Sequence, residues 1–193
     1  MGLAILMAVA TLPAFASSVV QVSFDQLVRS SEFVFEGRVV SERAEMDNKG
    51  IIKTYVTFEV VDVLKGVYSG KPLVLAYLGG TVGNATMEIS GLRPPDVGEK
   101  GIYFVESLIN PPAHPLYGWD QGHFIVRASQ TDQLERVFTR SGKPVAGFQT
   151  VTERPTGLST GVAAGVLLST AAANQGLTLP QFKQKVRELV TAR

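Results

Sequence analysis

No cysteine occurs anywhere in the 193 residues, which removes disulfides, thiolate metal sites, iron–sulfur clusters and thiol nucleophiles together. Stability must come from the core. Neither sign of charge dominates: 18 Lys and Arg stand against 17 Asp and Glu, a net charge of +1. Nucleic acid and acidic membrane surfaces need clustered basic residues to displace counterions, so neither is an expected partner. A membrane-length apolar run is also missing. The apolar run Leu3 to Leu12 would rise only about 15 Å as a helix, half the hydrocarbon thickness of about 30 Å, and no stable span is expected after it is removed.

What is present describes one globular domain that turns often: 45% apolar and 18% charged residues, with 19 Gly and 10 Pro. Leu3 to Leu12 is followed by Pro13 and then Ala14-Phe15-Ala16, the small-x-small pattern that signal peptidases accept. Residues 1–16 therefore read as a signal peptide and Ser17 as the mature N-terminus, which makes the protein exported, periplasmic or secreted.

Ser23-Phe24-Asp25-Gln26 has the form of a capping box and predicts a short helix over Phe24 to Ser30. From Phe33 the period becomes two, and Ile51 to Leu64 is the longest β-rich run. Further strands are predicted over Leu73–Leu78, Thr86–Ile89, Gly101–Leu108 and Gly118–Arg127, with a terminal hairpin of Arg136–Thr139 and Val145–Gln149. Residues 17–152 form the expected β domain. The stretch 153–177, rich in Gly, Ala, Ser and Thr, reads as a linker or a loosely packed helical segment. In 178–193, Thr178 and Gln181 repeat the capping box, and Leu179, Phe182, Val186, Leu189 and Val190 share one face of an amphipathic helix.

Several motifs carry less than their form suggests. Gly157-Leu158-Ser159-Thr160-Gly161 matches a hydrolase nucleophile elbow, but both histidines, His114 and His123, precede the serine, against the order that fold requires. Gly79-Gly80-Thr81-Val82-Gly83 runs strand to strand with no Lys-Ser or Lys-Thr after it, which predicts a turn and no phosphate cradle. His114, Asp120 and His123 are metal-capable but follow no ligand spacing, so neither metal nor cofactor is expected. The segment Tyr117 to Phe124 is richer. Read as a strand, it places Trp119, Gln121 and His123 on one face beside Tyr117. Such a face, exposed, would stack and hydrogen-bond a sugar or a peptide; buried, it is the aromatic corner of a β core. Tyr117, Trp119, Gln121 and His123 are the candidate binding residues, and no catalytic set can be assembled.

Ser31-Glu32-Phe33-Val34-Phe35-Glu36-Gly37-Arg38-Val39-Val40 and Tyr55 to Gly66 resemble the first strands of the netrin-like modules found in tissue inhibitors of metalloproteinases, and of exported bacterial proteins with such a domain. The likeness covers about Phe33 to Val126. It implies an OB-like Greek-key barrel of five or more strands, here mainly β with a short N-terminal helix and a C-terminal amphipathic helix. The animal inhibitors act through an N-terminal cysteine, which this sequence lacks. The expected role is a non-catalytic binding module for a protein or a cell-envelope polymer; a protease-inhibitor-like module acting on a secreted metalloprotease is the alternative.

Overall fold

A computed structural model describes residues 19–109, 112–129, 132–169 and 176–192; the signal peptide read over residues 1–16 lies outside them. The first element of the described residues is helix α1 (Phe24–Ser30), where the Ser23 hydroxyl accepts from the Gln26 amide at 3.1 Å. Only half of the expected capping box forms. The Gln26 amide group donates instead to the Tyr117 hydroxyl at 3.0 Å, tying the helix to a distant loop. At its other end, the Lys65 ammonium donates to the carbonyls of Val28, Arg29 and Ser31 at 2.6–2.9 Å, where the helix dipole is negative. Lys65→Met should cost about 1–2 kcal/mol in a urea melt. A change within error would mean that water serves these carbonyls equally well.

Two long strands follow, β1 (Phe33–Met46) and β2 (Ile52–Lys65), then β3 (Leu73–Leu78). Glycines 79 and 80, at φ of 101° and 134°, turn the chain into the small hairpin of β4 (Gly80–Val82) and β5 (Ala85–Met87). Strands β6 (Lys100–Val105), β7 (His123–Ala128) and β8 (Glu135–Thr139) complete a six-stranded antiparallel sheet of order β3-β2-β1-β6-β7-β8. The fold is mainly β, as the alternation predicts.

β1 begins apolar on both faces at Phe33–Phe35 because this end lies mid-sheet between two cores. Val34 packs with Ile102, Phe104, Phe124 and the two helices, α1 and α2 (Leu179–Thr191). Phe33 and Phe35 point the other way, into a cluster with Phe58, Tyr77, Tyr103 and Leu116. Register shifts between β1 and β2 bend this second face inward. Phe58 of β2 and Tyr103 of β6 thus bring their ring centroids to 4.8 Å although β1 runs between their strands.

The sheet curls but does not close into the expected barrel: among the described residues, no ladder joins β3 to β8. Both edges are occupied by other chain. Leu78 N donates to Ala113 O, and beside β8 Val137 N donates to Leu177 O. Leu177 N in turn donates at 2.6 Å to the carbonyl of Val145, at the start of β9 (Val145–Phe148). The predicted terminal hairpin is therefore opened by inserted backbone, and β9 pairs with β10 (Val166–Leu168). β10 lies in the stretch 153–177 expected to be a linker. Among its described residues Ala163 is buried and Ala164 exchanges backbone bonds with Val22 and Phe24. No described helix is long and apolar enough to cross a membrane.

Candidate functional site

The segment read as one continuous strand from Gly118 is broken at its start. Trp119–Gly122 forms a 3₁₀ turn, and β7 begins only at His123. Gly118 and Trp119 both have left-handed backbone, at φ of 67° and 60°. For a tryptophan that conformation costs on the order of 1–2 kcal/mol. Gly122 is required at the exit, because a Cβ there would lie 2.5 Å from Tyr117 O. The turn abolishes the face that Trp119, Gln121 and His123, of the four candidate residues, were expected to share.

Each of the four has its own place. Tyr117 is half-buried, its hydroxyl accepting from Gln26. Gln121 is buried, and its side chain serves backbone alone: Oε1 accepts from Val22 N at 2.9 Å, while Nε2 donates to Val20 O at 3.1 Å and Gly118 O at 3.0 Å. His123 is buried inside the curl, with Nε2 2.6 Å from Glu99 Oε1 and its ring against Tyr103. Trp119 is half-buried and faces a cleft. It is the one of the four placed to touch a ligand.

That cleft, about 300 Å³, is lined by Val19, Leu158, Trp119, Asp120, Ser159 and glycines 91, 118 and 161. One face of the Trp119 ring stacks on His114, centroids 5.4 Å apart and planes within 9°. Burial pushes the His114 imidazole down to about 3, so the ring beneath the tryptophan is neutral. Its Nδ1 accepts from Leu116 N at 3.1 Å, and its ring meets Tyr77 edge-on. Burial also raises the Asp120 carboxyl above its ordinary range, with His123 and Arg140 only partly offsetting it. Ser159, from the elbow-like motif, accepts from Gly161 N at 2.9 Å and helps wall the cleft.

Behind the cleft lies a buried ionic cluster that no sequence motif announces. Glu99 binds His123 through Oε1 and Arg140 Nη1 through Oε2 at 3.0 Å, and Tyr103 donates to it at 3.3 Å. Arg140 also donates to Pro94 O. Burial alone would raise the Glu99 carboxyl, but the bond and charge of His123, then Arg140 and Tyr103, outweigh it and hold the group below the ordinary range. Burial raises the Tyr77 and Tyr103 hydroxyls, and Tyr77 Oη has no hydrogen-bond partner among the described residues. His114, Asp120 and His123 do not converge, and no group of three metal-capable side chains occurs among the described residues.

No family model, curated protein or solved structure matches the chain. The fold and cleft define a class at the level of architecture: a curled antiparallel sheet backed by two helices, with one tryptophan-walled cleft at the end of the curl.

Proposed function

We propose that this chain is an exported, non-catalytic binding module that recognises a protein or an envelope polymer through the Trp119 cleft. One observation carries the reading. The sole tryptophan is held in left-handed backbone, stacked on a neutral buried imidazole on one side and lining a ligand-sized cleft. Backbone strain of this kind persists where the surroundings impose it, and it concentrates at binding sites. The resemblance of residues 33–126 to netrin-like modules fits a recognition role.

Trp119 supplies its own reporter, since the intrinsic fluorescence of the protein comes from one indole. Titration with purified envelope polymers and secreted proteins should shift its emission. Trp119→Ala should weaken the same binding at least about tenfold while changing stability by less than about 1 kcal/mol. A ligand bound equally well by the alanine variant, with no change in wild-type emission, would place the site elsewhere.

A further inference from the structure

Resting on the cleft reading above, we infer that the Trp119 cleft takes the basic side chain of a protein partner, a lysine or arginine seated between the indole face and the Asp120 carboxylate. Asp120 is the only charged residue among those lining the cleft. It has no ion-pair or hydrogen-bond partner among the described residues, and the two basic side chains that act on it are bonded elsewhere. Arg140 is engaged by Glu99 and Pro94 O, and His123 by Glu99. The larger groove beside α2, about 900 Å³, makes the contrast clear: its Glu36, Asp62, Lys183 and Arg187 neutralise one another. Asp120 is left without a direct basic partner, since His123 and Arg140 act on it through charge alone and only partly offset its burial.

The indole supplies the second element of cation recognition. A cation over an aromatic face is attracted by the ring quadrupole, most strongly by tryptophan. A protonated imidazole under the same ring would oppose this, but His114 is held neutral by burial, so the stack leaves the cleft-facing side favourable to positive charge.

The rim selects a protein over a sugar. Leu158, 65% exposed, lines the cleft, and Val20, 58% exposed, bridges to it. Side-chain hydrogen-bonding groups are few: Asp120, Ser159 and the indole N–H. A saccharide would leave most of its hydroxyls unmatched here, whereas a basic residue between apolar neighbours covers Leu158 and Val20 and brings one charge to Asp120. A volume near 300 Å³ leaves room for a lysine or arginine side chain together with part of its neighbours.

The test uses the purified full domain and two capped pentapeptides, Ala-Leu-Lys-Leu-Ala and its norleucine twin, followed by Trp119 emission and calorimetry. The lysine peptide should bind at least about tenfold more tightly than the norleucine peptide. Asp120→Asn should erase that preference without lowering the thermal midpoint, since it removes a desolvated charge that has no partner. A salt series on the wild type needs no variant: between about 0.05 and 0.5 M salt the preference should shrink. No preference in the wild type, or a preference that survives in Asp120→Asn, overturns the inference. If both peptides then bind equally and Trp119→Ala weakens both, the cleft still binds ligands and only the cation is wrong. If glucosamine binds with the Asp120 dependence and the peptide does not, the partner is an amino sugar and the protein side chain is ruled out. If neither peptide nor any polymer alters Trp119 emission, the cleft reading falls with the inference.

Discussion

Glu99→Gln should destabilise the domain by about 3–5 kcal/mol, the usual consequence of removing one member of a buried ion pair. The carboxylate side chain is 10% exposed, Arg140 13% and His123 2%. The amide keeps the shape and hydrogen-bonding length but not the charge, which strands the Arg140 guanidinium under the loop at Pro94. The double variant Glu99→Gln with Arg140→Met should recover part of the loss, because removing both charges leaves no ion uncompensated. Glu99 has its pKa depressed in the fold, so its contribution is fully present above the unfolded value, about 4.3, and is lost as pH falls through the lower folded value. The gap between wild type and Glu99→Gln in urea melts should therefore be constant near neutrality and narrow in acid below about pH 4. A deficit under about 1 kcal/mol, or one indifferent to pH, would show that water screens the cluster.

Gln121→Ala should cost about 3 kcal/mol, since one buried amide satisfies an N–H and two carbonyls of backbone that belongs to no ladder. The consequence is local first. Val20 and Val22 are held to the Trp119 turn by this side chain, and Val19 lines the cleft, so losing Gln121 should loosen the cleft wall before the sheet. Hydrogen exchange should show the Val22 amide opening at free energies well below global unfolding. Gln121→Glu separates hydrogen bonding from size. It retains an acceptor for Val22 N but turns a second oxygen toward the carbonyls of Val20 and Gly118, so at neutral pH it should be no better than alanine and should improve in acid, where a protonated carboxyl donates to one of them. A fully stable Gln121→Glu would sink the clamp role.

The strands were legible because their side chains obey a period of two. Ile52, Thr54, Val56 and Phe58 are buried as the alternation requires, and Leu73–Leu78 begins and ends where it was read, whereas Phe33, Val34 and Phe35 are all buried because tertiary packing covers both faces of β1 there. The start of β7 was not legible. Trp119 and Gln121 alternate like strand residues, yet Gly118 turns left-handed and carries Trp119 with it, a backbone choice that composition does not encode. Asp120 appeared in the sequence only as a possible metal ligand, because nothing local marks a carboxylate that has no partner. Glu99 and Arg140 carried no signal at all, being 41 residues apart and joined only by the curl.

The absence of cysteine and the near balance of charge narrowed the chemistry before any fold was considered, and the two periodicities specified a mainly β chain with a helix near each end of its described part. Those are local or compositional properties, set by the residues themselves. Tertiary structure decided the rest: that the sheet curls without closing, that Ala164 and Val166–Leu168 pair with distant backbone, and that Trp119 lines a cleft while Gln121 and His123 are buried. The reason is physical. Burial, pairing and charge compensation depend on which distant segments meet, and here Val20, Glu99, Asp120, Arg140 and Leu158 come together at one end of the curl only once the sheet has bent.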